Sequence, residues 1–271
     1  MYLEYYGLKE PPFEMTPNPR FLFFSAKHRE AFNHLLYGIR ERKGFVQLTG
    51  EVGAGKTTVC RAMLEALGDS WASALIFNPP PDPELLVKAV AIEFGIAAAG
   101  LGVLETRAML NEFLIEQAAA GRDGVLIIDE AQNLTNHQLE HIRLLSNLET
   151  EDRKLLQIVL MGQPELRSRL DDPILRQLRQ RITVRFHLAP LTRAELWPYI
   201  EHRLVVSGAT GTFYFTAGAL WRIYNYSRGI PRLINAVCDK CLLAGYVEQR
   251  DGIDYRMVGR AVRELEGRIN V

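Results

Sequence analysis

Apolar and polar positions along the chain fall into two stretches of different period. In the first, five short apolar runs stand out: FVQLT at 45–49, SALIFN at 73–78, GVLIID at 124–129, LLQIVLM at 155–161 and ITVRFHL at 182–188. They are continuous rather than alternating, as expected of strands in a parallel sheet with helices on both faces. Between them the spacing becomes that of amphipathic helices: at 84–94 with Leu85, Leu86, Ala89, Val90 and Phe94, at 107–120, and at 138–148 with Leu139, Ile142, Leu145 and Leu148. This alternation predicts a doubly wound α/β layer structure. Beyond Pro190 the strand-like runs stop, and helices are expected at 193–206, 217–226, 231–248 and 255–265. The expected organisation is an α/β domain over residues 1–190, N-terminal segment included, followed by a small all-helical domain over 191–271.

Composition sets the class. The 271 residues, 48% hydrophobic and 24% charged, are ordinary for soluble globular protein and sufficient for one large core or two modest ones. No apolar run approaches the ~18–20 residues that cross a bilayer. The opening MYLEYYGLKEPPF has neither the basic start nor the apolar stretch of a secretory signal. Three cysteines, an odd number, give no disulfide framework. A cytoplasmic protein is expected. The net charge of zero hides an asymmetry: residues 1–172 carry 17 Lys and Arg against 24 Asp and Glu, and residues 173–271 carry 15 against 8, with 14 of the 15 being Arg. These read either as scattered solvated side chains or as a basic half that meets an anionic partner, nucleic acid or the acidic half of a neighbouring copy.

The first apolar run leads straight into Gly50-Glu51-Val52-Gly53-Ala54-Gly55-Lys56-Thr57, with Thr58 next. This is G-x-x-x-x-G-K-[ST] placed after a strand and before a helix, the context that a phosphate-binding loop requires. Glycines let backbone N–H groups curl around a phosphate, and the helix that follows points its positive dipole end at the same charge. Lys56 reaches β- and γ-oxygens in such a loop, and the Thr57 hydroxyl ligates Mg²⁺. The third run ends in VLIIDE at 125–130. Two carboxylates at the end of a buried strand make a poor core unless a cation or water lies beside them. Asp129 is thus the candidate Mg²⁺ residue, and Glu130 the group that orients or deprotonates an attacking water. The expected cofactors are ATP and Mg²⁺, and the expected chemistry is hydrolysis.

The succession GEVGAGKT, LIIDE, VLMGQPEL, LRQLRQRI and SRGIPRLIN resembles an AAA+ ATPase. With the opening YYGLKEPPFEMTPNPRFLFFSAKHREAFNHLLYGI, the chain is more closely similar to the general secretion pathway protein A family, over nearly its whole length. The resemblance implies an AAA+ P-loop NTPase fold: a five-stranded parallel sheet with flanking helices, then a helical lid. It also implies further roles. Gln163 takes the place of a polar sensor of the γ-phosphate or attacking water, although MGQPEL also reads as a simple turn. Asn78 takes that of an amide restraining the catalytic Glu, although Asn before Pro79-Pro80 is also ordinary turn chemistry. Among Arg176, Arg179 and Arg181, either Arg179 or Arg181 is the finger supplied in trans, the alternative being local pairing with Asp171 and Asp172. Arg232, in GIPR, takes the place of a second sensor, and Phe13, His28 and Ile230 are candidates at the adenine.

A site that borrows a cation works fully only when copies meet head to tail, which generates rings or filaments. The resemblance therefore implies a homo-oligomeric ATPase that serves assembly or operation of an envelope secretion or export system at the cytoplasmic face of the inner membrane. Longer members of that family continue into a membrane span and a peptidoglycan-binding periplasmic domain, and no such segment is read in this sequence. The alternative is a DNA-dependent ATPase of the transposition type, with duplex DNA as partner, which the Arg surplus beyond residue 172 favours.

Two motifs are set aside. His137-Gln138-Leu139-Glu140-His141 matches H-x-x-E-H, but it lies on the helix after the paired carboxylates with no distant acidic third ligand. Cys238-Asp239-Lys240-Cys241 lies within an apolar helix, beside Ile234, Val237 and Leu242, and reads as packing.

Overall fold

The computed structural model describes residues 2–149, 153–210 and 213–268. After a single turn, α1 (Tyr2–Tyr5), and α2 (Ala26–Arg40), the first strand β1 (Phe45–Gly50) leads through the glycine-rich loop to α3 (Lys56–Leu67). The remaining sheet strands are β2 (Trp71–Ile76), β3 (Asp123–Ile128), β4 (Leu156–Gly162) and β5 (Ile182–Leu188). All pairings are parallel, in the order β2-β3-β4-β1-β5. The helices between them are α4 (Pro83–Glu93), α5 (Val103–Ala119), α6 (Asn136–Leu145), α7 (Glu165–Leu170) and α8 (Arg176–Arg181).

Position in the sheet explains the burial of each strand. The three inner strands β1, β3 and β4 are buried at every residue, because helices cover both faces and strands flank both edges. The edge strand β5 alternates, with Thr183, Arg185 and His187 exposed between Ile182, Val184 and Leu188. A core of Leu86, Val90, Leu110, Leu114, Leu126, Ile128 and Leu160 joins the sheet to α4 and α5. Where bounds differ from expectation, local chemistry accounts for it. β2 ends at Ile76, and Phe77-Asn78 bend ahead of Pro79-Pro80, which pushes the chain out of the ladder. α6 starts two residues earlier than its apolar period because Thr135 and Gln138 form a capping box.

Contacts divide the chain into two compact groups: Arg29–Gly50 with Val59–Leu188, which is the sheet and its helices, and a second group made of the residues up to His28, Glu51–Thr58 and those from Ala189 on. The second contains α9 (Arg193–Val206), α10 (Ala217–Ser227), α11 (Pro231–Val247) and α12 (Tyr255–Leu265). It also holds a parallel pair, β6 (Tyr214–Phe215) and β7 (Gly252–Ile253), each too short to leave a periodic signal. The N-terminal segment, expected with the sheet, packs here instead: Tyr6, Leu8 and Phe13 share one apolar cluster with Leu196, Ile200, Ile234 and Val237. Polar bonds hold it as well. Arg203 donates from Nε to the Pro12 carbonyl and from Nη2 to the Glu14 carbonyl at 3.3 Å, and Asn235 Nδ2 donates to that same oxygen at 3.3 Å.

Candidate functional site

The loop from Gly50 to Thr58 takes its shape from close approach and backbone sign. A Cβ on Gly50 would lie 2.7 Å from the Leu188 carbonyl oxygen at the end of β5. Gly53 and Gly55 have φ of +77° and +98°, a region that costs a residue with Cβ but not glycine. Within the loop, the Ala54 N–H donates to the Glu51 carbonyl at 3.1 Å, and buried Lys56 folds its Nζ onto that oxygen, also at 3.1 Å. Lys56, Thr57 and Thr58 form the first turn of α3, so the positive end of its dipole faces the loop.

Two residues far away in sequence brace this loop. The Arg232 N–H, in the first turn of α11, donates to the Gly53 carbonyl at 3.2 Å. A Cβ on Gly53 would lie 2.4 Å from Arg232 Cβ, so only glycine allows the helix start so near. On the other side His28 Nε2 sits 3.0 Å from the Ala54 carbonyl, while Nδ1 lies 2.7 Å from Ser25 Oγ. A carbonyl only accepts, so Nε2 carries the proton and Nδ1 accepts from the Ser25 hydroxyl. Burial holds the His28 pKa below the usual histidine value, against the opposing pull of the Ala54 carbonyl and Glu195. Of the other adenine candidates, Phe13 is buried in the helical cluster and Ile230 is the N-cap residue of α11.

The C-terminal edge of the sheet carries the carboxylates. Asp129 is buried, its N–H donating to the Ile76 carbonyl at 2.8 Å and its Oδ1 accepting the Glu130 N–H at 2.8 Å. Glu130 has φ +50°, ψ +33°, a left-handed conformation uncommon for a residue with a side chain. Such strain persists only where surroundings impose it, and it concentrates at functional sites. Gln163, just beyond β4, donates from Nε2 to Glu130 Oε2 at 3.2 Å, so the sheet brings these two together. Asn78 stands exposed past the end of β2, and the amides on Glu130 are those of Gln163 and Gln132. Gln132 had no part in the sequence reading. Its signal was only a polar residue two positions after Glu130, and its importance comes from a partner 31 positions away.

The arginines of LRQLRQRI differ in their engagement. Arg181 Nη1 donates to Ser146 Oγ at 2.8 Å and Asn147 Oδ1 at 2.6 Å, which fastens it to the end of α6. Arg179 is exposed, with a 3.4 Å contact to equally exposed Asp171. Arg176 is exposed as well. The motifs set aside behave as packing and surface. Arg143 holds Glu140 at 2.6 Å, and His141 Nδ1 faces Arg107 Nη2 at 3.2 Å. Burial pushes the Cys241 thiol up to about 12 and the Cys238 thiol well above its ordinary value.

Residues 39–170 match a family described as an AAA domain. General secretion pathway protein A of Aeromonas hydrophila is 44% identical over 270 residues, covering 98% of this chain and 49% of that protein. The chain thus spans about half the length of the curated relative it matches. Among solved structures, Aeropyrum pernix ORC2 in its ADPNP–ADP complexes superposes with a TM-score of 0.72 at 15% identity, covering 94% of this chain and 72% of that one. Cdc6p of Pyrobaculum aerophilum gives 0.70 at 19%, covering 90% and 70%, and the Thermotoga maritima RuvB branch migration motor gives 0.60 at 19%, covering 89% and 69%. At these identities the likeness is one of fold. No helix among the described residues is long and apolar enough to cross a membrane. The chain carries an AAA domain on a five-stranded parallel sheet and is similar to general secretion pathway protein A over nearly all of its own length.

Proposed function

We propose that the protein binds Mg-ATP and hydrolyses it as a homo-oligomer, and that the energy serves assembly or operation of an envelope secretion or export system. The observation that carries the hydrolytic part is the placement of Glu130. It follows a wholly buried strand, is set in a left-handed turn, and accepts hydrogen bonds from the amides of Gln132 and Gln163. The sheet order supports it. With β4 between β1 and β3, the ends of those two strands stand two spacings, about 10 Å, apart. That is room for a phosphate, a metal ion and a water.

In this reading the loop N–H groups and the start of α3 cradle the β-phosphate, and Lys56 turns from the Glu51 carbonyl to the β- and γ-oxygens. Mg²⁺ supplies charge neutralisation at those oxygens, and Thr57 and Asp129, oxygen donors suited to a hard cation, would hold it. Glu130 orients the attacking water and accepts its proton, Gln163 senses the γ-phosphate or that water, and Arg232 reports nucleotide state from its place beside Gly53. Arg179 is the finger offered to a neighbouring copy, because it is exposed while Arg181 is anchored. The secretion partner follows from the 44% identity to general secretion pathway protein A. The duplex-DNA alternative draws on the Arg surplus beyond residue 172, and much of that surplus is spent within the fold. Arg250 and Arg260 pair with Glu248, Lys240 pairs with Glu264, and Arg203 is buried.

The test is phosphate release by the purified chain with ATP and Mg²⁺, compared with Glu130→Gln. Turnover is expected to fall at least 100-fold, as for loss of a general base, while a fluorescent ATP analogue still binds. An unchanged rate would remove Glu130 from this role.

A further inference from the structure

The bond between Glu130 and Gln132 has a geometry that packing alone does not require. Glu130 Oε2 accepts from Gln132 Nε2 at 2.5 Å and from Gln163 Nε2 at 3.2 Å. Gln132 Oε1 accepts the backbone N–H of Gln163 at 3.0 Å. An N–H must face an oxygen, so this bond fixes the amide with its NH₂ end toward the carboxylate. The Gln132 carbonyl accepts from Arg169 Nη1 of α7 at 3.1 Å, which holds the residue from behind. Space for the bridge exists because residue 162, the last of β4, is glycine. A Cβ there would lie 2.5 Å from Gln132 Oε1 and 3.2 Å from Leu166 Cβ.

We propose that Gln132 is a positioning residue for hydrolysis: it aims the Glu130 carboxylate and ties that aim to the backbone of Gln163, so that movement of the segment after β4 redirects the base. The inference rests on Glu130 being the group that orients the attacking water. An amide suits the task because it donates to a carboxylate without neutralising it. Gln132 acts through Glu130, and the bridge makes the sensor segment and the base one mechanical unit.

Two variants of the full chain test it. Gln132→Leu removes both bonds. Gln132→Glu keeps an acceptor for the Gln163 N–H but replaces the donor to Glu130 with a like charge. Both are expected to lower kcat about 10–100-fold, the cost of misplacing a reacting group by an ångström or so. The dissociation constant of a fluorescent ATP analogue stays within about two-fold and Tm stays unchanged. A Gln132→Glu enzyme with wild-type kcat means that the bridge only supports the loop, and the proposal falls while Glu130 keeps its role. Wild-type turnover by Glu130→Gln, measured alongside, instead removes the base itself and the proposal with it.

Discussion

At the scale of single residues, the loop is held by groups whose protonation and size matter. Burial lowers the pKa of His28 from the ordinary 6.5 and so disfavours its charged form in the folded protein. Between that lowered value and 6.5 the unfolded chain binds more protons than the folded one, so stability rises with pH across this window and is lost as pH falls through it. Wild type is therefore expected to lose more Tm between pH 7.5 and 5.5 than His28→Asn, and equal losses in thermal melts would contradict a buried neutral histidine. This bracing role was not visible beforehand. The sequence put His28 among candidates for adenine contact, and nothing in its surroundings in the chain pointed to Ala54, 26 positions on. Lys56, Thr57, Asp129 and Glu130 were proposed directly from the sequence, since their candidacy depends on residue type and on spacing within a single turn.

At the scale of elements, glycine and cap positions decide where helices begin. The entry to α11 passes through Arg228 and Gly229, both with positive φ. A Cβ on Gly229 would lie 1.9 Å from the Leu191 carbonyl oxygen, a backbone atom that cannot swing aside. Gly229→Ala is expected to cost about 3 kcal/mol from overlap and backbone strain together. For a chain of this size that lowers Tm by roughly 5–10 °C, and a loss under 1 °C would mean that the turn adapts. Because this turn leads into the helix that brings Arg232 to Gly53, the variant should also weaken nucleotide-analogue binding. The strands and helices themselves were readable from period alone. Their ends were not, where capping residues such as Thr135 or the proline pair after Asn78 overrode the apolar pattern.

For the molecule as a whole, the proposal that one copy completes the site of another rests on Arg179. The exposed Arg179–Asp171 contact contributes at most about 1 kcal/mol, so Arg179→Ala should leave Tm nearly unchanged. Loss of a finger in trans costs about 10³-fold or more in phosphoryl transfer, and specific activity of the wild type should rise with protein concentration as copies associate. Arg181→Ala, by contrast, strips bonds to Ser146 and Asn147 and should lower Tm. Activity independent of concentration, with Arg179→Ala as active as wild type, would argue against a shared site.

The sequence by itself determined the α/β layer with its helical sequel, the glycine-rich loop between strand and helix, and the paired carboxylates, because each follows from a short-range pattern: apolar period, a glycine-rich turn, two acids closing a buried strand. Tertiary structure alone decided that residues 2–28 pack with the C-terminal helices, since that depends on where Tyr6, Leu8 and Phe13 find apolar partners roughly 200 positions away. It alone separated Arg179 from Arg181 and joined Gln132 to Gln163. Hydrogen bonds between distant side chains depend on where the folded backbone brings their ends, and spacing along the chain carries no record of that.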